Sequence, residues 1–156
     1  MKPWAERSQI EATLLNPALI ALLIREAATG HESGGTEMSW PLLFLVPPLV
    51  LHRPTRNALP RDTRTHLSTW VAREPVLRTG FPDRAAAMSP LVREGLRFGL
   101  RHGVLLMTHG TVRGADVGAA PPGELRILLR SASLVGRWFA KSSEPSTIFA
   151  LFGVRP

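Results

Sequence analysis

The sequence of 156 residues contains no cysteine. Disulfides, thiol nucleophiles and cysteine-rich zinc sites are therefore excluded. Long apolar runs are missing as well, because the longest, Trp40 to Leu51, falls short of the roughly 20 residues that a membrane-spanning helix needs. The first residues, MKPWAERSQIEA, are too polar to contain the apolar core of a secretory signal. We therefore expect a soluble, cytoplasmic protein that does not contact a membrane.

Common catalytic and nucleotide-binding motifs are also missing. The sequence has no HExxH zinc motif, no GxxxxGK[ST] phosphate loop and no GxSxG nucleophile elbow. Its twelve carboxylates occur singly, half of them beside arginines, and offer no visible acid/base pair. We therefore expect a protein that is not an enzyme and that uses no metal, no cofactor and no small-molecule substrate.

Lysine is scarce, with two residues against 17 arginines, and the arginines concentrate in the middle of the chain. Residues 53–101 carry ten basic and four acidic side chains, which accounts for nearly all of the formal net charge of +7. A basic surface of this kind suits nucleic acid or an acidic protein partner. The alternative is an ordinary solvated surface, since single exposed charges contribute little.

The central segment, residues 39–65, joins two halves of opposite character. Trp40 to Leu51 is apolar and contains two consecutive prolines, whose missing backbone donors predict a buried helix that is kinked or broken at Val46 to Pro48. The second half carries four arginines, which we call the arginine corner: Arg53, Arg56, Arg61 and Arg64. An apolar anchor followed by a cationic surface predicts a site of contact with a partner.

Hydrophobic periodicity predicts a mainly α-helical chain. The Asn16-Pro17 pair predicts the start of an apolar helix that ends near Gly30, before a Gly/Ser-rich loop over residues 30–37. Further helices are predicted over residues 62–74, 82–88, 90–102, 124–141 and 146–152.

The helix over residues 90–102 has a basic stripe. At about 100° per residue, Arg93, Arg97 and Arg101 fall within one narrow arc of it. The next segment, with two short apolar runs around His109-Gly110, predicts a small β-hairpin that ends at Arg113.

The order of two helices, a basic helix and a hairpin is that of a winged helix-turn-helix. We therefore expect a mainly α fold with one small β-hairpin, organised as a single domain over residues 1–156. Residues 61–113 would form its winged-helix-like part, with N-terminal helices in 14–52 and C-terminal helices in 124–152 packed on it. Fold alone does not decide function, because winged helices bind proteins as well as DNA.

Four stretches of the sequence resemble the middle component of bacterial three-component ABC ATPase systems. They are LLNPALIALLIREA at 14–27, PLLFLVPPLVLHRPTRNALPRDTRTHLSTW at 41–70, GFPDRAAAMSPLVREGLRFGLRHGVL at 80–105 and LVGRWFAKSSEPSTIFALFGVRP at 134–156. The resemblance implies a winged-helix-containing, non-catalytic adaptor. Its partners would be an ABC ATPase of the SMC/Rad50 type and an effector such as a nuclease or protease. Such systems act in defence against phage and plasmids, the Lamassu type being one branch.

Two functional hypotheses follow. In the first, the chain is this adaptor, and its candidate partner-binding residues are Arg53, Arg56, Arg61, Arg64, Arg137 and Trp138. In the alternative, it is a DNA-binding winged-helix regulator or DNA sensor, and its candidate nucleic-acid-binding residues are Arg93, Arg97, Arg101, His109 and Arg113. A small enzyme is a third interpretation that only the size of the chain favours.

Overall fold

A computed structural model describes residues 16–118, 122–142 and 144–155. The described chain is mainly helical and contains a small antiparallel sheet, which confirms the predicted fold class. The winged-helix arrangement and the single domain stay predictions. Those parts of the sequence-based predictions that concern residues 1–15, 119–121, 143 and 156 lie outside the described residues.

Helices of different lengths surround three short strands in the described chain. The helices are α1 (Pro17–Glu32), α2 (Val46–Leu51), α3 (Arg53–Ala58), α4 (Leu67–Arg73), α5 (Pro75–Thr79), α6 (Phe81–Arg101), α7 (Glu124–Ala140) and α8 (Pro145–Phe152). A 3-10 helix covers Trp40–Leu45, and the strands are β1 (Met38–Ser39), β2 (Leu105–Thr108) and β3 (Thr111–Gly114). Strand β3 lies in the middle of the sheet and pairs antiparallel with both neighbours.

Helix α1 is the centre of the fold, because both α6 and α7 pack along it. Asn16 caps its first turn as predicted, with its side chain accepting a hydrogen bond from the backbone N–H of Ala18 at 2.8 Å. Its inward side chains are fully shielded from solvent: Ile20, Leu23, Ile24, Ala27 and Ala28. The predicted end at Gly30 is wrong, since the helix continues to Glu32 and takes in the start of the predicted loop.

The contact between α1 and α7 is close enough to require glycine on both helices. A Cβ atom at Gly136 would overlap the backbone carbonyl of Ala27, and one at Gly30 would overlap the carbonyl of Ser133. Glycine in a helix interior costs about 1 kcal/mol relative to alanine. Packing therefore outweighs helix propensity here, because the two backbones can touch only where side chains are missing.

Most of the apolar half of the central segment is buried, as predicted, and its helix changes type where the sequence predicted a kink or break. The 3-10 helix ends at Leu45 and α2 begins at Val46, so the change of helix type falls at the predicted position. Pro47 and Pro48 then lie in the first turn of α2, where a backbone N–H has no partner within the helix and none is lost. Both prolines are buried, whereas Trp40 at the start of the segment stays 43% exposed.

Helix α6 is continuous, whereas the sequence predicted two helices that meet at Ser89-Pro90. Pro90 lies on the exposed side of the helix, and the Ser89 hydroxyl donates to the carbonyl of Ala85 at 3.1 Å. The hydrogen bond that proline removes is therefore on the solvent side. Burial of Leu91 and Val92, which directly follow Pro90, stabilises the helix across this position.

Three other helix boundaries differ from the prediction. Helix α4 begins at Leu67 instead of near Asp62, because the Asp62 carboxylate accepts the backbone N–H of Arg64 at 2.9 Å and forms a turn. Pro75 ends α4 as predicted but also begins α5, which was not predicted. Helix α8 begins at Pro145, one residue before the predicted start.

The predicted hairpin is confirmed. Strands β2 and β3 are joined by His109 and Gly110, with φ of 50° and 85°. Positive φ at both positions is the pattern of a type I′ turn, which suits the twist of a two-residue hairpin. The third strand, β1, was not predicted; it places Met38 opposite Val112, and both side chains are buried.

Replacement of Gly136 by alanine tests the close contact of α1 and α7. We expect Gly136→Ala to lower the free energy of unfolding by about 3 kcal/mol, because the new methyl group pushes the two backbones apart. In an open helix the same change would raise it by about 1 kcal/mol. Urea unfolding measures the difference.

The matched control is Gly80→Ala. Gly80 has φ of −89°, and the nearest atom to an added Cβ is the end of the flexible Arg84 side chain at 3.7 Å. We expect a change within about 0.5 kcal/mol there. A Gly136→Ala protein as stable as the parent would contradict the proposed contact.

Candidate partner interface

The four arginines of the arginine corner are not equivalent. Arg53 on α3 and Arg61 in the turn that follows are exposed. The side chain of Arg64 is 91% exposed, with its Nε 3.6 Å from the Asp62 carboxylate. An ion pair this exposed contributes little to stability, so these three cations remain accessible to a partner.

Arg56 has a structural role instead. Its side chain is only 11% exposed, and its guanidinium donates to the carbonyl of Val50 at 2.8 Å. The same guanidinium lies 3.9 Å from the Glu124 carboxylate at the start of α7. Arg56 therefore joins α3 to the end of α2 and to α7, and only a small part of it faces solvent.

Two side chains of the α7 C-terminal region hold the loop that precedes α4. The indole N–H of Trp138 donates to the carbonyl of Thr65 at 2.7 Å. The ammonium group of Lys141 donates to the carbonyl of Thr63 at 3.3 Å. This loop carries the last two arginines of the arginine corner, so α7 fixes where their backbone lies.

Trp138 was predicted as a partner contact, but it lies in the core. It is 1% exposed, and its ring meets Trp70 edge to face at a centroid distance of 5.3 Å. It positions the arginine corner and is shielded from any partner. Arg137, the neighbouring candidate, is exposed.

A polar network joins α3 to α6. Nδ1 of His52 accepts the hydroxyl of Thr55 at 2.6 Å and the backbone N–H of the same residue at 3.4 Å, which caps α3. Arg84 on α6 donates to Oγ1 of Thr55 at 3.3 Å and to the carbonyl of Pro48 at 3.4 Å. Thr55 is 1% exposed, so the network is buried at its centre.

The pKa values of both basic groups of this network are lowered. Burial, and then repulsion by Arg84, lowers the pKa of His52 from its ordinary value of 6.5. Burial also lowers the pKa of Arg84. A neutral His52 is consistent with the hydrogen bonds, because its Nδ1 must have a free lone pair to accept from Thr55.

The stripe of Arg93, Arg97 and Arg101 lies on the exposed face of α6. Arg93 differs from the other two, because its guanidinium carbon lies 5.9 Å from the ring centre of Phe44 in a cation–π contact. One end of the stripe therefore contacts the 3-10 helix that carries this phenylalanine.

The two hairpin candidates have different surroundings. His109 is exposed at the tip of the hairpin. Nε of Arg113 lies 3.2 Å from the carboxylate of Glu32 and 3.6 Å from that of Glu37. These carboxylates oppose the charge of Arg113, which makes it a weaker phosphate ligand than the arginines of α6.

A groove that sequence reasoning missed lies between three elements that are far apart in the chain. It has a volume of about 620 Å³ and is bounded by the 3-10 helix, the first half of α6 and the end of α8 with the tail after it. Most of its lining is apolar: Trp40, Pro41, Phe44, Leu45, Pro82, Ala85, Ala86, Phe149 and Val154. Its charged lining residues are Asp83, Arg93 and Arg155. We call this feature the apolar groove.

The described residues contain neither a metal-binding cluster nor a membrane-spanning helix. No group of three or more histidine, aspartate or glutamate side chains within them is placed to hold a metal ion. None of the helices formed by those residues combines the length and the apolar character needed to cross a membrane.

The described residues form a mainly helical fold whose surface has basic areas and one apolar groove. A family model described as ABC-three component (ABC-3C) system Middle Component 3 matches residues 4–156. Because the match covers nearly the whole chain, the protein belongs to this family, which confirms the resemblance to a middle component. No curated protein and no solved structure matches the chain.

The lowered pKa of His52 predicts a pH dependence of stability. The unfolded chain binds a proton at His52 more readily than the folded chain does, so this contribution to stability is fully present above pH 6.5. It is lost as the pH falls through the lower, folded-state pKa. We expect His52→Asn, which keeps a capping side chain but does not titrate, to reduce the loss of unfolding free energy on acidification from about pH 7.5 to about pH 5.

Urea unfolding at the two pH values measures this effect. The control is His109→Asn, at an exposed turn position with positive φ that asparagine also adopts. It makes the same exchange outside the network of His52, Thr55 and Arg84. An identical loss in the parent and in His52→Asn would contradict the assignment.

Proposed function

We propose that the chain is the non-catalytic adaptor of a cytoplasmic, Lamassu-like defence complex against phage and plasmids. In this role it joins an ABC ATPase of the SMC/Rad50 type to an effector protein. The observation that carries the proposal is the family match over residues 4–156. A middle component of a multi-component system requires protein partners, and the described surface offers contact areas of suitable chemistry.

The arginine corner supports an acidic protein surface as one contact. Arg53, Arg61 and Arg64 are exposed. The loop that carries Arg61 and Arg64 is held by hydrogen bonds from Trp138 and Lys141 to two of its backbone carbonyls. A guanidinium forms two parallel hydrogen bonds with a carboxylate, and a fixed backbone reduces the entropy lost on binding.

Charge reversal in the arginine corner tests the adaptor function. We expect Arg61→Glu combined with Arg64→Glu to weaken binding to one of the two co-expressed partners at least about tenfold, because like charges then face each other across the interface. Affinity pull-down of the neighbouring ATPase and effector gene products, followed by titration of the purified proteins, measures this.

The matched control is Arg73→Glu combined with Arg78→Glu. Both residues are exposed and lie on α4 and α5, and the double variant has the same net charge as the test variant. Its binding should equal that of the parent. If the parent chain binds neither partner, the adaptor function is wrong.

DNA binding is the second candidate function. The observation that favours it is the exposure of Arg93, Arg97 and Arg101 along α6, immediately before the hairpin. Regularly spaced cations on one helix face suit the phosphates of a duplex.

A mobility-shift assay tests this candidate. We expect the isolated protein to shift duplex DNA with a steep salt dependence, and Arg97→Glu to weaken binding and to lower the slope of log affinity against log salt by about one unit. Arg73→Glu is the control at an exposed position off the stripe. No shift at low salt would exclude direct DNA binding by the free chain.

A further inference from the structure

We propose that the apolar groove binds an acidic, amphipathic segment of one of the two protein partners. A bulky apolar side chain of that segment would enter the groove, and its carboxylates would lie against Arg93 and Arg155 at the edge. This inference rests on the proposed adaptor function and specifies a second contact surface for it, separate from the arginine corner.

Two aromatic side chains form one side of the groove and support the binding of an apolar side chain there. Trp40 is 43% exposed although it belongs to the otherwise buried apolar segment, and it meets Phe44 edge to face at a centroid distance of 6.0 Å. Its backbone N–H donates to the carbonyl of Gly110 at 3.1 Å, which ties it to the hairpin. Tryptophan side chains in well-packed concave sites often contribute a large share of the binding free energy in protein interfaces.

The groove is already formed in the free chain. Leu45 and Phe149 of its lining are buried in the core. After α8, Gly153 turns the chain with φ of 67°, and the backbone N–H of Val154 donates to the carbonyl of Phe149 at 3.0 Å. Because the tail is held in this way, a partner would not have to order the groove before binding, which favours affinity.

The charged residues that line the groove favour an acidic occupant. Two arginines and one aspartate, Asp83, line the groove, and Arg93 is held in place over the ring of Phe44. The excess of positive charge at the edge complements carboxylates next to an apolar anchor.

The apolar lining of the groove favours a protein segment over duplex DNA as the occupant, because most protein contacts to DNA are made to phosphate and sugar. A volume of about 620 Å³ accommodates more than one apolar side chain. That size suits a helix with apolar residues at positions i and i+3 or i+4.

A pair of adjacent alanines on α6 allows a matched test. Ala86 and Ala87 are both exposed, and Ala86 lines the groove whereas Ala87 does not. We expect Ala86→Glu to weaken binding to one purified partner, the ATPase or the effector, at least about tenfold, because it fills the groove and repels carboxylates. Ala87→Glu should bind both partners as the parent does, and equal urea midpoints would show that both variants are folded.

Further outcomes separate the parts of the proposal. Ala86→Lys adds similar bulk without the repulsion, so we expect it to bind more tightly than Ala86→Glu; equal losses would overturn the acidic nature of the partner segment. If the parent binds both partners and Ala86→Glu does too, the groove is not an interface although the adaptor function stands. If the parent binds neither partner, the adaptor function fails with it.

Discussion

The direct contact of the α1 and α7 backbones at Gly30 and Gly136 is the constraint on which the rest of the structure depends. It brings α7 close enough to α1 for both helices to share one core, and α6 packs along α1 in a similar way, with Gly95 against Ile20. From that position, α7 reaches the loop of the arginine corner through Trp138. The position of the loop that carries Arg61 and Arg64 therefore depends on a contact between buried glycines.

The arginines of the described residues include two groups that the sequence cannot distinguish. Arg56 and Arg84 donate to backbone carbonyls and hold helices together, whereas Arg61, Arg64 and Arg97 are exposed. Which group an arginine joins depends on the carbonyls that tertiary packing brings near it, and these come from distant segments. A count of positive charge thus overestimates the surface that is free to bind a partner.

Local signals predicted much of the fold. Asn16-Pro17, the proline pair at 47–48 and the His109-Gly110 turn each gave the correct local structure, because capping and turn chemistry act over a few residues. The helix break predicted at Ser89-Pro90 was wrong, because burial of Leu91 and Val92 outweighs the loss of one backbone hydrogen bond on the solvent side of the helix. The apolar groove could not be predicted, because its walls come from three separate stretches of the chain and the exposure of Trp40 is visible only in the structure.

In the proposed adaptor function, the chain joins two other proteins. Mass photometry of the purified ATPase and effector, with and without this chain, tests this function most directly. We expect a particle with the combined mass of all three components only when the chain is present, and separate ATPase and effector particles in its absence. Assembly of the ATPase with the effector to the same extent without the chain would contradict the account.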